Sequence, residues 1–344
     1  WIQEHKTKPA QQSTQLLLQR GIIPDVIVAR CEEPVPDNVK QKIRRFCNCA
    51  SVISGHDLPD VYQIPRNFHN QGLLDTINNT LQIDAKYGSG WDTYIRALAT
   101  AQQTITVGIA GKYTALEDSY ASIIEALKHA GAHSGARIEL QWIETSDMDN
   151  PSVALSGVDA VIVPGGFGSR GIQGKIDVIK YCREHKIPYL GICYGMQLAV
   201  VEFARNVCGL DAHTTEVDQD TQNPVIDILA EQKNITYKGA TMRLGAYDAV
   251  LKNDSQIAGL YGTTKVSERH RHRYEVNPKY HDTLTEHGLI ISGKHQNLAE
   301  FIEIPDHPYF VATQAHPELK SSLDTPAPLF VGLIEAVQTI TLKH

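Results

Sequence analysis

The stretch 187–207, IPYLGICYGMQLAVVEFARNV, constrains the fold of this chain more than any other. Residues 187–192 are an apolar run that reads as a buried strand, and after Gly195 the apolar residues Leu198, Val201, Ala204 and Val207 recur at helical spacing. Between them stands Gly191-Ile192-Cys193-Tyr194-Gly195. This is a nucleophile-elbow pattern with cysteine in place of serine: small residues flank a strained turn, so that the apical side chain projects into solvent over the sheet edge. Cys193 also opens a helix, whose N-terminal dipole favours a thiolate over a thiol. An inert, half-buried cysteine fits the same five residues, so the rest of the chain has to decide.

No run approaches the roughly 18 apolar residues of a membrane span, and no signal-peptide pattern is visible, which predicts a cytoplasmic protein. A length of 344 residues predicts about two domains. The net charge of −7 gives no support to a nucleic-acid surface. Cys31, Cys47, Cys49, Cys182, Cys193 and Cys208 lack framework spacing and read as reduced thiols; Cys47-x-Cys49 has no second pair, and no metal site is expected. The chain opens at Trp1 directly onto Lys6-Thr7-Lys8-Pro9, as if inside a domain, and a missing upstream segment is expected.

In order, the patterns predict a helix over 12–20 closed by Gly21, a strand in IIPDVIVAR, a basic helix over 38–46, a short strand at 51–54 and a helix over 71–81. Residues 84–103, with Gly88-Ser89-Gly90, read as a connector. A second domain then opens with a strand at 105–110, Gly111-Lys112-Tyr113, and a helix over 118–130. A P-loop fails here, because Thr106 stands where the first glycine belongs and Tyr113 where Ser or Thr would hold magnesium. Strands at 137–143 and 160–163 continue the α/β alternation, the second running into Pro164-Gly165-Gly166-Phe167-Gly168. Paired with an elbow on a later parallel strand, this glycine turn is an oxyanion-hole candidate, since ligands of open α/β sheets gather at the carboxyl ends of strands.

Residues 225–276 turn β-rich. In Ser267-Glu268-Arg269-His270-Arg271-His272-Arg273-Tyr274-Glu275 the period of two places the arginines on one face and the histidines on the other, and a guanidinium is the expected partner of a carboxylate ligand. The strand at 309–314 enters Ala315-His316-Pro317-Glu318. Pro317 holds His316 extended, so residues two apart point the same way: His316 towards Cys193, with Glu318 orienting its imidazole.

PGGFG, GICYGMQ and QAHPE, in this order, resemble the class I (triad) glutamine amidotransferases over about residues 104–340. GATMRLGA, ERHRHRYEVN and the amino-terminal KTKPAQQS are similar to segments of the CTP synthase family in particular. The resemblance implies a doubly wound, mainly parallel α/β sheet over 104–344, preceded by the end of an α/β amidoligase domain (1–83) and a linker (84–103). It implies ATP-dependent amination of UTP to CTP with ammonia from glutamine, this chain carrying the glutaminase half-reaction. Cys193 would be the nucleophile, His316 the base and Glu318 its orienter, with Gly166 and the Tyr194 backbone as oxyanion hole. Gly165, Phe167, Gln197, Glu216 and Arg273 match glutamine-holding positions, Glu216 suited to the α-ammonium and Arg273 to the α-carboxylate. Arg170 matches an arginine of GTP activation, and Lys6, Lys8, Gln11 and Lys42 match nucleotide contacts. ATP, magnesium, GTP as activator, CTP as inhibitor and a homo-oligomer, a tetramer, are implied for the whole enzyme, with the P-loop and magnesium ligands expected upstream.

Tyr194 stands where leucine is usual, Ala315 where phenylalanine is usual, and Ala10 and Gln12 where Thr and His are usual. A backbone donor survives the change at Tyr194. Two other readings compete: a stand-alone γ-glutamyl hydrolase, which gives no reason for KTKP or Arg170, and a catalytically silent binding or filament-forming module, against which the retained Cys193, His316 and Glu318 argue.

Overall fold

The computed structural model describes residues 6–88, 90–112, 117–228 and 242–342, so Tyr113, Ser89 and the first part of GATMRLGA (239–241) lie outside the described residues. The chain divides into two compact units, Trp1–Arg96 and Ala97–His344.

In the first unit, α1 (Lys8–Leu18) begins four residues ahead of the expected helix because Pro9 sits in its first turn, where a missing N–H costs nothing. There follow β1 (Val26–Cys31), α2 (Asp37–Cys47), β2 (Ser51–His56), α3 (Ile64–Asn70) and α4 (Leu73–Leu81). β1 and β2 pair in parallel, and Ile43 and Cys47 of α2 pack on Cys49 and Val52 as a small core. The expected connector contains a helix, α5 (Gly90–Thr100).

The second unit contains β3 (Gln103–Gly111), α6 (Ala121–Ser134), β4 (Ala136–Glu144), α7 (Pro151–Ala154), β5 (Ala160–Val163), α8 (Ile172–His185), β6 (Tyr189–Ile192), α9 (Tyr194–Asn206), β7 (Ala212–Thr214) and β8 (Asn223–Ile228). It continues through β9 (Arg243–Leu251), α10 (Gln256–Tyr261), β10 (Lys265–His272), β11 (Tyr274–Val276), α11 (His281–Glu286), β12 (Ile290–His295), β13 (Leu298–Glu303), β14 (Phe310–Thr313) and α12 (Pro328–Thr341). Nine strands form one sheet in the order β10-β9-β12-β13-β14-β6-β5-β3-β4. From β14 to β4 every pairing is parallel, and from β14 to β10 every pairing is antiparallel. β5, β6 and β14 are buried along their whole length, which explains why they read as continuous apolar runs rather than alternating ones. Two apolar cores lie on this sheet, one under α8 and α9 and one under α6 and α12. β7, β8 and β11 make a separate three-stranded sheet. β3 runs unbroken through Gly111, so the Gly-Lys pair ends a strand and forms no phosphate loop.

Candidate active site

β6 and β14 are parallel neighbours paired through Ile192 and Thr313, and the Cys193 amide extends that ladder by donating to the Thr313 carbonyl at 2.7 Å. Cys193 then turns the chain with φ 52° and ψ −101°, outside the favoured regions for a side-chain-bearing residue. Such strain costs on the order of 1–3 kcal/mol and persists only where the surroundings impose it. The two flanking glycines explain how. A Cβ on Gly195 would stand 2.0 Å from the Val163 carbonyl oxygen, and one on Gly191 2.7 Å from the Tyr189 hydroxyl. The elbow is therefore pressed against β5 with no room for a methyl group. Cys193 does not project into open solvent as expected: it is 4% exposed and forms part of the wall of a cavity of about 710 Å³.

His316 follows β14 and lines the same cavity. Its Nδ1 lies 2.6 Å from Glu318 Oε1, and a Cβ on Gly165 would meet its Cε1 at 2.8 Å and the Cys193 Cβ at 3.6 Å, so Gly165 is the space between the two side chains. Burial pulls the His316 pKa down, but Cys193 and Glu318 together outweigh it and raise it to about 10. The expected reason for the His316–Glu318 contact needs correction. Residues Pro317–Lys320 form a 3₁₀ turn rather than extended chain, and it is this turn that brings the Glu318 carboxylate back onto the imidazole.

The cavity is also lined by Gly165, Gly166, Phe167, Gln197, Glu216 and Arg273. The Tyr194 amide is the first of α9, where helix N–H groups lack intrahelical partners. Glu216 Oε1 accepts from the Gly168 amide at 3.1 Å; burial raises its pKa against that bond and the charge of Lys112. Gln197 is fixed by donating to the Tyr274 carbonyl at 2.9 Å. Arg273 carries a buried Nε with no hydrogen-bond partner among the described residues. The alternation over 269–272 holds, with Arg269 and Arg271 exposed and His270 and His272 buried, but β10 ends at His272. Arg273 sits at the break before β11 and not on the arginine face.

The histidine face joins a buried polar network. His270 Nδ1 lies 3.0 Å from His272 Nε2, and Arg243 Nη1 donates to Glu275 at 3.0 Å. The same nitrogen is ion-paired with Glu300 Oε1 at 2.7 Å. Burial, then Arg243, lowers the His270 pKa to about 3, and burial raises that of Glu275 to about 8.

Among the residues at the site that the sequence did not single out are Lys175 of α8 and Tyr274, which line the cavity, and Gln314, whose Nε2 is 3.8 Å from Cys193 Sγ. Arg170 is exposed, does not line the cavity, and donates from Nε to Ser146 at 3.0 Å. In the first unit Lys6 borders a separate cavity of about 620 Å³, while Lys8 and Lys42 lie exposed on α1 and α2, and Gln11 donates to the Thr7 hydroxyl at 3.1 Å. Among the described residues, no three or more His, Cys, Asp or Glu side chains are placed to hold a metal ion.

A strained cysteine elbow at the carboxyl end of a parallel strand is faced here by a histidine–carboxylate pair from the next strand, and the family model "Glutamine amidotransferase class-I" matches residues 115–336, which makes the chain a class I glutamine amidotransferase family member. A second model, "CTP synthase N-terminus", matches residues 1–83. The chain belongs to the CTP synthase family. It is 46% identical to the CTP synthases of Methanococcus maripaludis and Methanocaldococcus jannaschii, each match covering 97% of this chain and respectively 65% and 64% of the relative. The chain thus spans a little under two thirds of their length. Among solved structures it is similar to the glutaminase domain of Trypanosoma brucei CTPS with bound acivicin, at 34% identity and a TM-score of 0.65, over 68% of this chain and 94% of that one.

Proposed function

We propose that this chain carries the glutaminase half-reaction of a CTP synthase, and that the ammonia it releases serves the ATP-dependent amination of UTP. The observation that supports this best is the joint placement of Cys193 and His316 on one cavity wall, with Glu318 held against the His316 imidazole at 2.6 Å. The Cys193 thiolate attacks the amide carbon of glutamine, and the oxyanion forms against the amides of Gly166 and Tyr194. His316, held by Glu318, gives its proton to the leaving ammonia. It then takes a proton from the water that hydrolyses the thioester, releasing glutamate and the thiolate. Glu216, half-buried in the cavity wall, suits the α-ammonium, and the orphan Nε of Arg273 suits the α-carboxylate, with Gly165, Phe167 and Gln197 shaping the walls.

For the amination we assign Lys6, Lys8, Gln11 and Lys42 to nucleotide contact and Arg170, outside the cavity, to the GTP effector. ATP and magnesium would activate the uracil oxygen as a phosphate, and we assign the glutaminase step to the side chains named above without them.

The test is glutamine hydrolysis by the parent and Cys193→Ala, with a glutamine-analogue chloroketone as thiol trap. Ammonia release and labelling should both vanish in the variant while its circular dichroism matches the parent's. Unchanged release in the variant would refute the assignment, and an unlabelled, inactive parent would favour the silent module.

A further inference from the structure

Lys175 is 2% exposed yet borders the cavity. It lies in the first turn of α8, and helical side chains lean towards the helix N-terminus. That lean carries its ammonium beneath the loop 165–168. Among the described residues no group accepts a hydrogen bond from it. Its neighbours are the Tyr194 ring, with the centroid 5.4 Å away, and Gly166, where a Cβ would stand 3.8 Å from Nζ and 3.7 Å from Tyr194 Cδ1. A buried cation without a bonded counter-ion destabilises a fold. Burial first, and then Lys112, lower its pKa to about 8 against the pull of Glu144. Groups that cost stability without a packing reason concentrate where function needs them.

Tyr194 holds the same loop from the side of α9. Its hydroxyl donates to the Gly168 carbonyl at 2.7 Å. The preceding peptide is held at both ends, with Lys112 Nζ donating to the Phe167 carbonyl at 2.5 Å and Glu216 accepting from the Gly168 amide. Two successive peptide groups of a glycine-rich turn are thus fixed by side chains from outside it. A leucine at 194 could not make this bond.

We propose that Tyr194 and Lys175 are positioning residues for glutamine hydrolysis: Tyr194 locks the glycine loop, and Lys175 sets a fixed positive charge behind Gly166 that favours the negative charge forming on the substrate carbonyl. A charge preset in a water-poor site acts on the transition state more than on the neutral bound amide. The inference rests on the glutaminase reading above.

Lys175→Met and Tyr194→Phe test it in the full chain. In K175M, kcat for glutamine hydrolysis falls about tenfold with KM within about twofold, while the thermal midpoint rises by about 2–4 °C, because an uncompensated charge has left the interior. A merely structural lysine would lower the midpoint and leave kcat per titrated thiol unchanged, and that result overturns the role of Lys175. In Y194F, kcat falls about fivefold and amide exchange at residues 166–169 quickens about tenfold, with β6 unchanged. Unchanged exchange and kcat there overturn the role of Tyr194. A parent no more active than Cys193→Ala would instead sink the glutaminase reading and, with it, this proposal's catalytic half; an active parent matched by both variants sinks this proposal alone.

Discussion

Arg273 brings a guanidinium to the cavity with one buried N–H left over. If that donor meets the substrate α-carboxylate, Arg273→Ala removes a charge-assisted bond worth about 1.5–3 kcal/mol, and the KM for glutamine should rise about ten- to a hundredfold. A KM equal to the parent's would remove Arg273 from substrate binding. Glycines give a sharper contrast. Gly195→Ala pushes a methyl group to 2.0 Å from a backbone oxygen that cannot swing away, so the variant should lose more than about 3 kcal/mol or fail to fold. Gly259, exposed within α10 with nothing within 4 Å of its would-be Cβ, should behave oppositely: Gly259→Ala should stabilise by about 0.5–1 kcal/mol in urea titration. The five-residue elbow was legible only in company, because an inert cysteine fits the same residues and the glycine turn before it and the His-Pro-Glu after it decided between the two. Lys175 was not, since a lysine in an amphipathic helix ordinarily reads as solvent-facing, and only the rotation of α8 on the sheet turns it inward.

At the scale of the element, β10 and β11 carry the strongest electrostatic prediction. Glu275 is held neutral by burial, with a pKa near 8, while in the unfolded chain it ionises near the ordinary carboxylate value. The folded state therefore binds the extra proton between about pH 4.5 and 8, and stability should fall as pH rises through that window. Glu275→Gln, neutral at every pH, should flatten the slope by on the order of 1 kcal/mol per pH unit at its steepest. Urea midpoints at pH 5.5 and 7.5 check it, and a parent with no slope would contradict it. The alternation of β10 was visible in its residues, but the break after His272 was not, because Arg273-Tyr274 continues the pattern without a glycine or proline. Likewise His-Pro-Glu reads as extended chain from its proline, whereas the 3₁₀ turn that joins Glu318 to His316 runs on through Lys320, beyond those three residues.

For the whole molecule, the two units differ in what holds each together. The first has a two-stranded sheet and a core of a few side chains, whereas the second has two extensive cores on nine strands. Backbone amides of β1 and β2 should accordingly exchange orders of magnitude faster than those of β5, β6 and β14. Comparable protection in both would show that the small core is not what limits the first unit. The parallel half was legible from its apolar runs. Of the antiparallel half only residues 225–276 were read as β-rich, and β12 and β13 were not anticipated, since register and strand order there are settled by distant partners.

The ladder between β6 and β14 has one more implication. Cys193 and His316 leave adjacent strands at the same end, just beyond the paired residues Ile192 and Thr313, and the bond from the Cys193 amide to the Thr313 carbonyl ties the nucleophile to the strand that delivers the histidine. The strands they leave are about 4.8 Å apart, a constant of peptide geometry, and the His316 amide is held in turn by the Arg269 carbonyl of β10 at 2.8 Å. The sheet works here as a ruler: loops away from it can lengthen, shorten or change sequence without resetting the gauge, whereas a slip of β6 against β14, or of β10 beneath His316, would.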